Sequence, residues 1–545
     1  MYCLDDGASL LEGPTSTDEP ATKVLPGPPS SETGTRIFET PASATNSGAK
    51  TAAGRKLLIV AALGIILAAI IVVGAYRYYG PGRQVESIAV MPFVNAAANP
   101  DLDYLSDGIT ESLINSLSQI PMVSVKARSS VFTYKGKEVA PKQVANDLSV
   151  QAVVIGRVVQ RGDLMILNVE LVDADSGNQI WGDQYTRKVT DLVRLQSEIA
   201  RDVSVKLRSK LTGEQQQKIA KNYTENAEAY KLYLQGRYYW NKRKPDDIRR
   251  SIEYFQQAID QDPTYALAYA GLAEAYIVAP QYNMGPASEY YPKARAAAAK
   301  AIEMDDTLAE GHNALATVLT NYDWKFAEAE TEYRRALELN PNYASAHQWY
   351  AEHLYNTGRL AEGLAEMRRA QELDPLSLII NGLLGVVLRY NGRMDEALVQ
   401  LKKTIDLDPN FPRGHLFLAE AYDSLGRYDE AVDEFAKAFT LSGGPPDRIA
   451  EFTTRAKNAA HTGGDKAYSR VMAETLESVL PSAPTSVPVA GYWARAGDTD
   501  KAFEILERAY QNRDDNMLML KTGRLASVAS DPRYKSLIHR VGLPE

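Results

Sequence analysis

Apolar and polar positions between residues 85 and 212 follow the pattern of a small mixed domain. Short apolar runs bounded by turn-forming residues predict five β-strands, at 85–93, 122–127, 151–160, 164–174 and 179–189. Turns at 161–163 (RGD) and 175–178 (DSGN) join the last three runs. The pattern therefore predicts two successive hairpins, which form an antiparallel meander.

Two helices are predicted in the same region. Leu and Ile residues recur at helical spacing, at Ile109, Leu113, Leu117 and Ile120, with Ser106 or Asp107 as the expected N-cap. A closing helix is expected from about 191 to 211. Residues 85–212 are thus predicted to form a small α/β domain.

From residue 226 onwards the pattern repeats. Small residues recur at one position of the repeat, at Ala258, Ala301, Ala336, Ala370, Thr404, Ala438 and Ala509. The spacings are 43, 35, 34, 34, 34 and 71 residues, where the first includes an insertion and the last contains a degenerate repeat around 447–480. A period of 34 indicates helix–turn–helix repeats that stack on one another. Residues 226–545 are therefore predicted to form an α-helical solenoid with a carboxy-terminal cap.

Two further segments precede the α/β domain. Residues 57–75 are uncharged and strongly apolar, and as a helix they would span roughly 28 Å, close to the thickness of a bilayer's hydrocarbon core. They predict one transmembrane helix. Residues 1–55, rich in Ser, Thr, Pro, Gly and Ala, predict a disordered tail.

The charges that flank the predicted transmembrane helix indicate its orientation. Three cationic residues precede the helix (Lys50, Arg55, Lys56) and two follow it (Arg77, Arg83). This difference favours a cytoplasmic tail, with residues 85–545 in the periplasm.

Composition and motifs narrow the classes of function. The net charge of -9 argues against a nucleic-acid binder, because phosphate contacts require clustered Lys and Arg. The sequence contains no HExxH, CxxC, GxSxG or glycine-rich phosphate loop. We therefore expect neither enzymatic activity nor a cofactor.

The repeats resemble tetratricopeptide repeats, as in NYDWKFAEAETEYRRALELNPNYASAHQWYAEHL. The segment 85–212 resembles the TolB-like (FlgO/CsgG-like) α/β domain of bacterial membrane-anchored repeat proteins, as in SIAVMPFVN and LVDADSGNQIWGDQYTRKVTDLVRLQSEIA. The resemblance implies a single-pass protein of the inner (cytoplasmic) membrane. It also implies a right-handed superhelix of helix pairs.

The concave groove of such a superhelix is the candidate partner site. The residues expected to line it are Glu274, Asn313, Gln348, Glu352, Tyr355, Arg389 and Glu420. Glutamates recur where a clamp for a peptide carboxylate would need cations or amides. A partly acidic groove prefers basic or neutral partners, and solvated side chains without a partner are the alternative.

Three histidines, His312, His347 and His415, occupy equivalent repeat positions, with Asn381 in the series between them. We interpret this position as packing between helices rather than as a metal site.

Cys3 is the only cysteine of the chain. The stretch YCLDDGASLLEG resembles the closing half of a zinc ribbon, but a structural zinc ion needs four ligands, so Cys3 alone cannot form a site. An internal start at Met1, a lost ribbon and a chance cysteine all remain open.

These features predict a membrane-anchored interaction scaffold or sensor that binds a protein or extended peptide in its concave groove. The alternative is a transmembrane regulator that relays a periplasmic signal to a cytoplasmic partner.

Overall fold

The computed structural model describes residues 85–96, 102–207, 212–282, 284–479 and 487–544. The predicted tail (1–55), with Cys3, and the predicted transmembrane segment (57–75) lie outside these ranges. Among the described residues, no helix is both long enough and apolar enough to cross a membrane.

The first part of the described chain is a mixed sheet with helices. Its elements are β1 (Ser87–Val90), β2 (Val94–Asn95), α1 (Asp103–Ser118), β3 (Ser124–Val125), α2 (Arg128–Phe132), α3 (Pro141–Leu148), β4 (Ala152–Arg161), β5 (Leu164–Asp173), β6 (Gln179–Lys188) and α4 (Leu192–Lys206). We call this part the α/β module.

The strands lie in the order β3-β1-β4-β5-β6, and β2 also pairs with β4. β1 is parallel to β3 and to β4, whereas β4, β5 and β6 are antiparallel. The predicted meander is thus confirmed for the last three strands. Gly162 and Gly177 have φ values of 59° and 70° at its two turns, a conformation that glycine adopts without strain.

The predicted N-cap of α1 is wrong. The helix begins at Asp103, so Ser106 and Asp107 lie inside it and are buried. The Asp107 carboxylate accepts a hydrogen bond from Lys135 Nζ at 2.7 Å. That contact joins residues 28 positions apart, so a local capping pattern does not reveal it.

The second part is a solenoid that follows the short helix α5 (Gly213–Ile219). Its paired helices are α6 (Ala227–Lys242) with α7 (Pro245–Gln261), α8 (Ala266–Val278) with α9 (Ala287–Met304), α10 (Ala309–Val318) with α11 (Phe326–Leu339), α12 (Ala344–Asn356) with α13 (Leu360–Leu373), α14 (Leu378–Tyr390) with α15 (Met394–Leu407), and α16 (Pro412–Ser424) with α17 (Tyr428–Leu441). We number these pairs 1 to 6, and call the first helix of each pair the inner helix.

The chain continues through α18 (Pro446–Val479), which is interrupted at Gly464, where φ is 61° and ψ is -152°. Then follow α19 (Val487–Ala496), α20 (Thr499–Gln511), 3-10 turns at Asp515–Lys521 and Ala526–Val528, and α21 (Pro532–Val541). We call residues 512–544 the cap.

The predicted repeat position is buried throughout the solenoid. Six of the seven small residues lie in the second helices of pairs 1 to 6 and Ala509 lies in α20, and all seven have at most 1% of their surface exposed. A small side chain there allows the two helices of a pair to approach closely. The mainly helical fold with tetratricopeptide-like pairs is therefore confirmed.

The carboxy-terminal part returns to pair 3. The Tyr510 ring lies 5.4 Å from the Trp324 ring, and the Arg513 guanidinium lies 4.2 Å above Trp324. Trp324 follows the π-helical turn Leu319–Asp323 and has a left-handed φ of 57°. These contacts place the cap against the middle of the solenoid.

Candidate functional site: the inner-helix face

The α/β module covers the inner helices of the first pairs. Helix α1 packs on α6, where Gly108 permits a close approach because a Cβ there would lie 2.8 Å from Leu234 Cδ2. Glu111 of α1 lies 2.7 Å from the Arg237 guanidinium and accepts a hydrogen bond from Asn241 at 2.8 Å. Burial alone would raise the pKa of Glu111, but Arg237 and Arg128 outweigh it and lower the pKa.

Glu274, a predicted groove residue, belongs to the same network. Its carboxylate lies 2.6 Å from Arg237 Nη1 and accepts a hydrogen bond from the Tyr343 hydroxyl at 2.7 Å. The side chain is 3% exposed. Glu274 therefore stabilises the junction between the module and pairs 1 to 4.

A second set of contacts joins the module to the loop before α12 and to the carboxy-terminal end of α13. Asn342 Nδ2 donates to the carbonyls of Ser118, Ile120 and Val123 at 2.9, 3.2 and 2.9 Å. The Ala127 amide donates to the Leu373 carbonyl at 2.9 Å. The module is thus hydrogen-bonded to both early and middle pairs.

A small cleft lies where α1 and α4 meet pairs 1 to 3. Gln196, Tyr230, Tyr265 and Glu310 are among its lining residues. Burial raises the pKa of Glu310 to about 7. The Tyr230 hydroxyl donates to Gln196 Oε1 at 2.8 Å across this cleft.

The predicted groove residues of pairs 3 and 4 are buried in different ways. Asn313 is fully buried, and neither its Nδ2 nor its Oδ1 has a hydrogen-bond partner among the residues that the structure describes. Gln348 donates to Glu352 Oε1 at 2.9 Å. Burial raises the pKa of Glu352.

In the cap, burial together with Asp514 raises the pKa of Asp515 to about 7, and Glu352 contributes to the same shift.

The remaining predicted residues form one group on pairs 4 to 6. The ring of Tyr355 lies 5.7 Å from that of Tyr390. Arg389 Nη2 lies 3.2 Å from Glu420 Oε2. Arg524 of the cap lies 2.6 Å from the same oxygen. The structure thus brings Tyr355, Arg389 and Glu420 together. Glu274 belongs to the module junction instead.

Sequence reasoning missed the accessible part of this face. Arg413 is exposed, and Trp349, Ile379 and Phe417 are half-buried. Arg413 acts electrostatically on both Glu352 and Glu420, and its guanidinium lies 5.5 Å from the Phe417 ring centre. The repeat register was the available signal, because these residues lie on the inner helices that carry the predicted ones.

The three equivalent histidines are buried between helices. Their Nε2 atoms lie 2.9, 3.1 and 2.9 Å from the carbonyl oxygens of Asp306, Pro341 and Pro409. Their Nδ1 atoms lie 2.5, 2.5 and 2.6 Å from Glu332, Glu366 and Glu434. In pair 5, Asn381 donates to the Pro375 carbonyl at 2.9 Å and accepts from Gln400 at 2.8 Å. The position therefore joins inner helix, second helix and preceding loop.

Family models match three parts of the chain. Residues 84–201 match the HilA/YgeH-like transcriptional regulator, second domain. Residues 325–377 and 388–439 each match a tetratricopeptide repeat. The chain thus contains tetratricopeptide repeats, and the model that its α/β module matches has a description other than the TolB-like one expected from the sequence.

A curated relative is the putative adenylate cyclase 3 of Rhizobium meliloti (strain 1021). It is 32% identical over 239 residues, which are 43% of this chain and 40% of the relative. The chain thus matches less than half of the relative's length.

Solved structures with similarity include PilF, PilW and YrrB, of which YrrB is described as a tetratricopeptide repeat protein. Pseudomonas aeruginosa PilF is 23% identical, with a TM-score of 0.30, over 40% of this chain and 93% of that one. The type IV pilus biogenesis factor PilW is 18% identical, with a TM-score of 0.33, over 40% and 95%. YrrB is 25% identical, with a TM-score of 0.24, over 34% and 89%.

Proposed function

We propose that this tetratricopeptide repeat protein is a membrane-anchored scaffold that binds a protein partner through the inner-helix face of pairs 4 to 6. The observation that carries the proposal is exposed Arg413, whose guanidinium lies 5.5 Å from the half-buried ring of Phe417. Half-buried Trp349 and Ile379 lie on the neighbouring inner helices α12 and α14. Half-buried aromatic residues next to arginine are enriched where proteins bind one another. The predicted partner residues Glu352, Tyr355, Arg389 and Glu420 border this surface.

The inner helices of pairs 1 to 3 are a poorer partner site. Glu111 and Arg237 form a buried ion pair between the module and pair 1. A peptide that replaced α1 there would leave buried charges without partners, at a cost of about 3–5 kcal/mol. We therefore place the partner on the later pairs, which changes the extent of the groove predicted from the sequence.

Membrane attachment is the second part of the proposal. It rests on the apolar run 57–75 and the flanking Lys and Arg residues. Residues 85–545 then project into the periplasm from the inner membrane.

Photo-crosslinking in cells tests the partner surface. A benzoylphenylalanine residue in place of Phe417 or Trp349 of the full-length chain should capture a discrete partner after irradiation. The same residue in place of Val399, which is 71% exposed on the second helix α15, should not. Equal capture from all three positions, or from Val399 alone, would contradict the assignment.

A regulator that relays a signal is the second candidate. It is favoured by the match of residues 84–201 to a domain of HilA/YgeH-like transcriptional regulators. This function requires the tail to bind a cytoplasmic partner. Deletion of residues 1–50 should then abolish the cytoplasmic response to the periplasmic signal, while the crosslink at Phe417 persists.

The relative's name makes nucleotide cyclisation a question for this chain. Catalysis of that reaction requires groups that bind the nucleotide phosphates or the metal ions that hold them. The sequence contains no glycine-rich phosphate loop, and the described part of the chain contains no cluster of three or more metal-ligating side chains. We expect purified full-length protein to form no cyclic AMP from ATP with Mg²⁺ or Mn²⁺. Turnover above a boiled control would show that the chain is an enzyme.

A further inference from the structure

The cleft between the α/β module and the first solenoid pairs is small and polar. It is lined by α1 and α4 of the module, by α6, α8 and α10 of the solenoid, and by the loop 221–224. Its volume is about 30 Å³, which is room for one or two groups of the size of a water molecule. The cleft therefore admits the end of a side chain or a small ion, but not a peptide backbone.

Glu310 is the acidic side chain of this cleft. It lies half-buried in the first turn of α10, and it makes no hydrogen bond or ion pair with another residue of the described chain. The charged groups around it are already paired, Arg237 with Glu274 at 2.6 Å and Lys221 with Asp305 at 2.7 Å. The Glu310 carboxylate is thus the acidic group of the cleft that lacks a cation.

Tyrosine rings form much of the remaining wall. Tyr230, Tyr233 and Tyr265 are at most 5% exposed, and the ring centres of Tyr233 and Tyr265 lie 5.3 Å apart. Tyr223 is half-buried, and Lys221 Nζ lies 5.4 Å from its ring centre. Because the faces of aromatic rings attract cations, these rings favour the same kind of ligand as the carboxylate.

We propose that the cleft binds a primary ammonium group, either of a free alkylamine or of a lysine side chain, with Glu310 as its counter-ion. An ammonium group has three donors and no acceptor, which suits a cleft lined by a carboxylate and side-chain oxygens. Such a ligand contacts both the module and the solenoid, so its binding stabilises their junction. The lining residues lie outside pairs 4 to 6, so the site is independent of the proposed partner surface.

Saturation-transfer NMR on the full-length protein in detergent micelles tests the site. The probes are n-propylammonium, the peptide acetyl-Gly-Lys-Gly-amide and the neutral analogue 1-propanol, at an ionic strength held constant with KCl. n-Propylammonium should bind with a Kd of about 10 mM or less, and at least about tenfold more tightly than 1-propanol. Binding of the peptide as well would identify a lysine side chain as a source of the group, whereas binding of n-propylammonium alone would identify a free amine.

Variants localise the effect to the cleft. Glu310→Gln keeps the shape of the side chain and should weaken n-propylammonium binding at least about tenfold. The matched control is Glu253→Gln, at an exposed glutamate of α7 outside the cleft, and it should leave binding unchanged. Tyr223→Leu should weaken binding about two- to fivefold, whereas Tyr223→Phe, which keeps the ring, should not. Circular dichroism checks that each variant keeps its helicity.

The pH dependence of binding is a second measurement. Burial raises the pKa of Glu310 to about 7, with Glu274 and Asp305 adding to the shift and Arg237 opposing it. The ionised carboxylate is the form that pairs with ammonium, and an alkylamine stays protonated below pH of about 10. Binding should therefore be about tenfold tighter at pH 8 than at pH 6.

The other titratable groups that face Glu310 do not reverse this sign. Burial raises the pKa values of Tyr223, Tyr233 and Tyr343, so these hydroxyls stay neutral over this range. Lys218 also faces Glu310, and its Nζ donates to the Leu339 carbonyl at 3.0 Å.

Four results would each overturn the ammonium site: equal binding of n-propylammonium and 1-propanol, no binding at about 50 mM, an unchanged affinity in Glu310→Gln, or equal affinities at pH 6 and pH 8. None of them bears on the partner surface, which the crosslink at Phe417 tests separately.

Discussion

Single residues determine how closely the helices approach. Gly236 of α6 and Gly271 of α8 both face Phe255, and a Cβ at either position would lie 2.6 or 2.7 Å from its ring. Phe255 is fully buried, so the ring has little room to move. Glycine is therefore required at these helical positions in spite of its low helix propensity.

We expect Gly236→Ala to destabilise the protein by about 1–3 kcal/mol, because the added methyl group overlaps the Phe255 ring. The gain in helix propensity, about 1 kcal/mol at most, offsets only part of this cost. Urea unfolding followed by circular dichroism measures the change. Gly213→Ala is the control, because nothing lies within 4 Å of a Cβ there. An equal loss in both variants would contradict the packing argument.

At the scale of helices, the repeated His–Glu contact joins the inner helices of pairs 3, 4 and 6 to their second helices and to the preceding loops. In His312, both ring nitrogens face oxygen acceptors, the Asp306 carbonyl and the Glu332 carboxylate. Only the protonated imidazolium donates from both nitrogens. Burial and Arg335 lower the pKa of His312, but the two hydrogen bonds outweigh them and the pKa is raised.

This contact predicts a pH dependence with a definite sign. Folding raises the pKa of His312. The contribution of the protonated side chain to the stability of the folded state is therefore fully present below the unfolded pKa of about 6.5, and it is lost as pH rises through the folded pKa. The double variant His312→Asn, Glu332→Gln copies the neutral pair Asn381 and Gln400 of pair 5. Between pH 6 and pH 9, the free energy of unfolding of the wild-type protein should fall by about 1 kcal/mol relative to that of this variant. Parallel stability curves for the two proteins would contradict the assignment.

At the scale of the whole molecule, the module and the solenoid are joined by buried charge. Glu111 contacts Arg128 at 3.0 Å and Arg237 at 2.7 Å, and Arg237 continues to Glu274. Four charges of alternating sign therefore lie at the junction, with both carboxylates buried and both guanidinium groups half-buried. Removal of one charged side chain leaves its partner buried without an opposite charge. This costs more folding free energy than the ion pair itself contributes.

We expect Glu111→Gln to destabilise the protein by about 3 kcal/mol and to increase hydrogen exchange in both α1 and α6. Glu198→Gln is the control, since Glu198 pairs with Arg187 at a partly exposed site within the module. That change should lower the free energy of unfolding by less than about 1 kcal/mol and leave the amides of α6 protected from hydrogen exchange. Increased exchange confined to α1 would show that the junction does not depend on this charge.

The membrane orientation gives a prediction at the same scale. A reporter active only in the periplasm, fused after Glu545, should be active, and a reporter active only in the cytoplasm should be inactive at the same position. The expectation rests on the surplus of one positive charge before the apolar run. The opposite pattern would place residues 85–545 in the cytoplasm.

The sequence by itself determined the local elements of this protein. The 34-residue period predicted the helix pairs, because each pair buries the same small residue, and turn residues predicted the meander of β4, β5 and β6. Both patterns depend on contacts between neighbours in the chain, so they are visible as spacing.

Only the tertiary structure decided what lies on the inner-helix face. Asn342 binds carbonyls of the module more than 200 positions earlier in the chain, and Arg524 binds Glu420 about 100 positions away. No spacing rule connects such residues, because their proximity depends on the curvature of the whole solenoid. The same polar side chains could therefore be read from sequence as a free groove, whereas folding pairs most of them within the chain and leaves Arg413 exposed.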